Sequence, residues 1–401
     1  MNRTECGGCG SGQLHPVLEI GKTPLADRFP ETASEDEDTY PLGAMVCTRC
    51  HLMQSSYIVP GSVLYGDDYG FHAGTSPALA RDNQQLGEQL DRLHPEGPVV
   101  EIACNDGDLL RHFNRERRPV LGIDPADSPV IAARKRGLDV LHQSFNLTAA
   151  QEIRDSHGPA GLVIARNVLA HVADLGNFLH GLQVLCANDG AVFLEVQYAG
   201  DLLAACQLDH IYHEHRSFFS VSSLAPLVAA YGFGITRIDR VPAQGGSMQL
   251  TLRPDAHDTG DVEYWKSRER AQGLLDLGEY VSFGRRADYA RDRINDLLAG
   301  PLAHVRLAGY GATAKSCTLL HWLDIDASLL EYVEDTTPAK IGRYTPGTKI
   351  PIKAPHFREV AKPEAFLLLA WNYLPQVLRR ERVWMAGGGQ LLVPIPFPVL
   401  L

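Results

Sequence analysis

Val99-Val100-Glu101-Ile102-Ala103-Cys104-Asn105-Asp106-Gly107-Asp108-Leu109-Leu110 passes from a β-branched apolar run into a polar, glycine-containing turn and then into the start of a helix. A short Val/Ile run bounded by such a turn reads as a buried strand. The next such run, Val120-Leu121-Gly122-Ile123-Asp124, ends in a carboxylate. Strand candidates recur at 162–165 and 191–196, each followed by a stretch able to form a helix. This alternation predicts an α/β fold, a doubly wound parallel sheet with helices on both faces. The first strand–turn–helix can receive a nucleotide-like ligand through Glu101, Asn105 and Gly107, with Asp124 placed to hydrogen-bond a ribose diol. It lacks G-x-G-x-x-G, so a pyrophosphate seated on close glycines fits less well, and the pattern favours S-adenosylmethionine over NAD. The plainer reading is a structural strand–turn–helix with a solvated Asp124.

Upstream, Cys6-x-x-Cys9 and Cys47-x-x-Cys50 have the spacing of a tetrahedral four-thiolate zinc site, with His51 a weaker substitute ligand. The intervening loop holds Gly21, Pro24, Pro30 and the run Glu35-Asp36-Glu37-Asp38, too few apolar residues for a core, so a metal is expected to replace one. A tyrosine-rich loop with Tyr57, Tyr65 and Tyr69 follows. A helix is then expected from Ser76-Pro77, carrying Leu79, Leu86, Leu90 and Leu93 and ending before Pro95. Downstream, 262–298 is polar and amphipathic and predicts a helical connection between two domains. The βα rhythm resumes at 305–308, Gly309-Tyr310-Gly311-Ala312 and a helix through 318–320, with later strands at 330–333, 365–370 and 391–393. Three units are expected: 1–75, 76–252 and 253–401.

The chain of 401 residues is 45% apolar and carries a formal net charge of −11. Acidity on this scale argues against a nucleic-acid partner, which needs concentrated basic surface. No apolar stretch approaches the length of a bilayer span, and no apolar leader opens the chain. Cys104, Cys186, Cys206 and Cys317 are scattered, as expected for buried thiols in a reducing cytoplasm.

Two further clusters carry chemistry. Asn167-Val168-Leu169-Ala170-His171 follows the strand at 162–165, at the carboxyl end where doubly wound sheets bind ligands. His210-Ile211-Tyr212-His213-Glu214-His215 packs three histidines, an acid and a phenol into six residues. These side chains converge only if the segment is an irregular loop. An imidazole flanked by Glu and Tyr can serve as a general base, and a His-x-x-His-x-His metal site is the competing reading.

These motifs, together with Leu121-Gly-Ile-Asp-Pro-Ala126, Gly245-Gly246-Ser247, Gly309-Tyr-Gly-Ala-x-Ala-Lys315 and Tyr344-Thr-Pro-Gly347, occur in order across nearly the whole chain. In this the chain resembles the S-adenosylmethionine-dependent C-3 methyltransferases of dTDP-deoxysugar biosynthesis. The resemblance implies a zinc-binding N-terminal domain, a central methyltransferase domain and a C-terminal Rossmann-like domain. Its implied substrate is a dTDP-4-keto-deoxyhexose, with His215 as base, Tyr212, Glu214, His171 and Asn167 beside it, and Asn167 also lining the donor site. Tyr69, Tyr198, Gly245, Ser247, Lys315 and Arg343 are the implied sugar-nucleotide contacts, the turn amides and Lys315 supporting the diphosphate. Ala103-Cys104, Arg166, Gln197 and Ser316-Cys317 depart from the family's usual residues. Two alternatives accompany this reading: a bifunctional enzyme that also reduces the ketone with NADPH, and a zinc-stabilised sugar-nucleotide binder without turnover. A cytoplasmic monomer or homodimer is expected.

Overall fold

The computed structural model describes residues 1–64, 74, 77–94, 96–361 and 363–401. Near the N-terminus, β1 (Leu14–Thr23), β2 (Tyr40–Cys47) and β3 (Met53–Ser55) form an antiparallel meander, bulged in β1. This module does have apolar contacts to bury, contrary to the sequence expectation. Val17, Leu18, Leu42, Ala44, Val46 and Met53 share one core with the 277–299 helix and the C-terminal sheet. The sequence reading missed this because it counted apolar residues within the loop, whereas the module buries its own against other parts of the chain.

The expected first helix runs Pro77–Leu93, while Ser76 and Pro95 lie outside the described residues. In the central sheet β4 (Val99–Ile102), β5 (Val120–Asp124), β6 (Asp139–His142), β7 (Ala160–Arg166) and β8 (Cys186–Gln197) are parallel. β9 (Ser217–Phe218) leaves this domain to pair with β3 and so completes the N-terminal sheet. β10 (Phe233–Val241) and β11 (Ser247–Pro254) finish the central sheet in the order β6-β5-β4-β7-β8-β11-β10, with β11 antiparallel to both neighbours. β7 is buried almost throughout, as a parallel strand covered on both faces must be. The strand order reverses at β4, so a crevice opens between the carboxyl ends of β4 and β7.

The predicted amphipathic connection is two helices, Gly260–Ala271 and Leu277–Ala299, separated by a turn. The first packs into the central core through Val262 and Trp265, and the second into the core shared with the N-terminal module. The C-terminal sheet holds β12 (Leu307–Tyr310), β13 (Val333–Glu334), β14 (Ile352–Lys353), β15 (Ala365–Leu368), β16 (Gln390–Val393) and β17 (Val399–Leu400). Their order is β14-β13-β12-β15-β16-β17, parallel except for the last. The strand expected at 305–308 begins two residues later, after the chain has turned out of the preceding helix.

Candidate active site

A cleft of about 1070 Å³ opens at the carboxyl end of the central sheet, and its far wall belongs to the C-terminal domain. On the sheet side, Ala103 (φ 54°) and Asn105 (φ 52°) both adopt left-handed backbone conformations. Such conformations are unfavourable for residues with a Cβ and concentrate at functional turns. Asp124 locks the turn: one carboxylate oxygen accepts from Asn105 N–H and the other from Ala126 N–H, each at 2.9 Å. Burial raises its carboxyl above the ordinary range. Glu101 is also buried, its Oε2 has no partner among the described residues, and burial pushes its carboxyl well up. Gly107 (φ 71°) does not line the cleft. A Cβ there would lie 2.1 Å from Leu138 Cδ1, so this glycine serves close packing.

These residues fit S-adenosylmethionine. Asp124 retains lone pairs for a diol and Glu101 offers an orphaned oxygen, while Asp108 on the same wall is already paired with Arg111 at 3.0 Å. Asn167 (φ 53°) projects from the turn after β7, and its Nδ2 donates to Glu195 Oε1 at 3.3 Å. Arg166, one of the departures from the family pattern, ion-pairs with the same buried Glu195 at 3.0 Å, so its charge is neutralised inside the fold.

The second half of the site is the 211–216 segment, which is irregular as its composition requires. Arg216 N–H donates to Ala170 O at 2.7 Å, and Ser55 N–H of β3 donates to Arg216 O at 3.1 Å, so the turn after β7 and the N-terminal sheet hold this loop. His215 Nδ1 lies 2.8 Å from His210 O, and a carbonyl can only accept, so Nδ1 carries the proton. In the neutral ring Nε2 therefore presents its lone pair, and it accepts from Tyr212 Oη at 2.8 Å. The two rings lie 4.0 Å apart; His215 is buried and Tyr212 half-buried, both on the cleft. Burial, the nearby His171 and the Lys315 charge hold the His215 imidazole well below its ordinary range. His171 packs edge-on to His215 at 5.0 Å, its Nδ1 lies 3.8 Å from Glu214 Oε2, and burial lowers it to about 4. Glu214 is pushed well up by burial and by Asp27.

The three clustered histidines do not converge as metal ligands. His213 turns toward the backbone oxygens of Tyr40 and Pro41, both at 3.3 Å, and His210 stacks behind His215. Among the described residues the one group able to hold a metal is Cys6, Cys9, Cys47 and Cys50, whose sulfurs all lie within 4.8 Å of one another. That donor set and spread suit tetrahedral zinc.

Across the cleft stand Thr313, Lys315, Lys340 and Asn372 of the C-terminal domain and Asp27 of the N-terminal module. Several residues implied by the resemblance lie elsewhere. Tyr198 is buried against Trp265, 5.3 Å between rings, where β8 has ended and the Ala199–Ala204 helix begins. Arg343 donates to Phe29 O and pairs with Glu31, fastening two modules together. Ser247 donates to Ala243 O, and the Gly245 carbonyl accepts from Gln207, while neighbouring Gln244 is the residue that reaches the cleft. The turn amide of Ala312 already donates to Asp335 Oδ2 at 2.7 Å, and Gly311 (φ 95°) packs on Ala370, so this turn is satisfied internally. Tyr69 lies outside the described residues. Sequence reasoning missed Asp27, Lys340, Asn372 and Gln244, which carry no local motif and reach the cleft only through the assembly of modules.

A parallel five-stranded core extended by an antiparallel strand, with an acid closing the second strand, defines an S-adenosylmethionine-dependent methyltransferase fold. Residues 78–238 match the methyltransferase domain family, 6–65 a zinc-binding domain family, and 242–396 the C-methyltransferase C-terminal domain family. The chain is similar to C-methyltransferase NovU of Streptomyces niveus, 34% identical over 403 residues that cover 98% of this chain and 96% of that protein. The chain belongs to this C-methyltransferase family. A shorter likeness, 33% over 94 residues, is to a ubiquinone biosynthesis O-methyltransferase of Bradyrhizobium diazoefficiens, covering 23% of this chain and 36% of that one. Among solved structures, magnesium protoporphyrin IX methyltransferase from Synechocystis PCC 6803 aligns with 48% of this chain and 88% of its own, at 16% identity and a TM-score of 0.34. Among the described residues no helix is long and apolar enough to cross a membrane.

Proposed function

We propose that the protein methylates C-3 of a dTDP-4-keto-deoxyhexose after removing the proton beside the ketone. The observation that carries this reading is the Tyr212–His215 pair, a neutral imidazole whose lone pair meets a phenol on the cleft wall. S-adenosylmethionine supplies an electrophilic methyl group when bound. The residues of the chain do the rest. Glu101, Asn105 and Asp124 hold the donor. Tyr212 oxygen takes the C-3 proton while its own proton moves to His215 Nε2, and the carbonyl of His210 stabilises the resulting imidazolium through Nδ1–H. His171 and Asn167 complete the wall beside the reacting carbon, and the four cysteines hold a structural zinc.

The test is incubation with donor and a dTDP-4-keto-2,6-dideoxyhexose in D2O, with and without NADPH, read by mass spectrometry and NMR. The expected result is one added methyl at C-3, with deuterium entering C-3 when the donor is omitted and no dependence on NADPH. Methylation at C-5, which also flanks the ketone, would reassign the position. The absence of both exchange and transfer would leave only binding.

A further inference from the structure

Lys315 stands out because its ammonium is buried, faces the cleft and makes no ion pair among the described residues. Its Nζ donates to Asn372 Oδ1 at 3.1 Å and lies 5.1 Å from the centroid of the Trp371 ring. Asp209 accepts from Trp371 Nε1 at 2.6 Å and forms no direct pair with the ammonium, though its charge opposes the lowering that burial imposes on Lys315. A buried cation without a paired carboxylate is a net cost to the fold, and its place in the first turn of the Ala314–Leu323 helix, beside the positive end of the dipole, adds to that cost. Such a group persists where an anion arrives during function.

Geometry indicates which anion. Thr318, on the same face of the helix one turn on, donates to Ile211 O at 2.8 Å, which pins Lys315's helix to the residue preceding Tyr212. Lys315, Tyr212 and His215 line one cleft.

Resting on the function proposed above, we infer that Lys315 is a catalytic residue that stabilises the oxygen of the enolate, rather than a diphosphate contact. When the C–H bond breaks, the proton passes to Tyr212 and His215. The bonding pair forms the carbon–carbon double bond, and the carbonyl π pair moves to the ketone oxygen, which becomes the anion facing Lys315. Asn372 aims the ammonium, and Trp371, held by Asp209, backs it.

The experiment measures solvent deuterium exchange beside the ketone, together with kcat and KM for methyl transfer, in wild type, Lys315→Met and Lys315→Arg. Removing one oxyanion donor is expected to lower exchange at saturating substrate and kcat by about 100-fold or more, with KM for the sugar nucleotide moving less than about threefold and Arg recovering part of the loss. A rise in KM with exchange and kcat intact would overturn the assignment in favour of a diphosphate contact. If Lys315→Met does not fold, Asn372→Ala carries the same test. It keeps the charge but releases its aim, so reduced exchange at saturation supports the role, and an effect confined to KM overturns it. A wild-type protein that exchanges no proton from this substrate overturns the parent reading, and this one with it.

Discussion

At the residue scale the proposed chemistry turns on one proton. His210 O fixes the tautomer of His215, and Tyr212 covers the lone pair that results. Under the proposed chemistry His215→Asn removes the terminal acceptor. Exchange beside the ketone and methyl transfer should fall by about 100-fold or more, while donor binding, measured by calorimetry, stays near wild type because Glu101 and Asp124 are untouched. The pH dependence has a definite sign. Burial holds His215 below the range of a free imidazole and His171 at about 4. The neutral, proton-accepting form therefore survives acidification past about pH 6.5, where an exposed histidine would be half protonated. The exchange rate should stay level from pH 8 through that point and decline only below it; a midpoint near 6.5 would mean an exposed base. The density of His, Tyr and Glu marked this stretch in the sequence, but nothing in the sequence said which ring faced the cleft.

At the element scale the turn after β4 shows how a single position shapes the donor site. Gly107 needs a left-handed backbone and space already taken by Leu138. Gly107→Ala should cost about 1 to 3 kcal/mol, seen as a lower Tm, and should weaken donor binding by displacing the turn that Asp124 locks. The strand assignments at β4, β5, β7 and β16 were readable because buried parallel strands are continuous apolar runs. β9 was not readable. Its two residues become a strand only because β3 is there to pair with them.

For the whole molecule, the cleft has walls from all three modules. The acidic 31–37 segment is strapped to the C-terminal domain by Arg343–Glu31 and Lys349–Glu37 ion pairs and by Gly347 N–H to Glu37, while Asp27 of the same module reaches the cleft. Glu37→Gln should therefore raise KM for the proposed sugar-nucleotide substrate a fewfold and leave donor binding unchanged, as separate titrations of the two ligands would show. Cys6→Ser should lower both zinc content and Tm. Because β3 holds the loop bearing His215, turnover should fall in step with zinc content. A variant that keeps full activity without metal would separate the module from catalysis.

The amino-acid sequence by itself determined the α/β alternation, the four-cysteine set, the acid closing β5 and the histidine-rich loop, since each is local in the chain and depends on spacing or side-chain chemistry. Only the tertiary structure decided that the N-terminal module shares a core with the C-terminal domain, that Tyr198 and Arg343 point away from the cleft, and that Lys315 is buried in it without a paired carboxylate. Those outcomes depend on which surfaces meet across hundreds of residues, and desolvation, which sets both the neutral imidazole and the exposed cost of the ammonium, exists only once they have met.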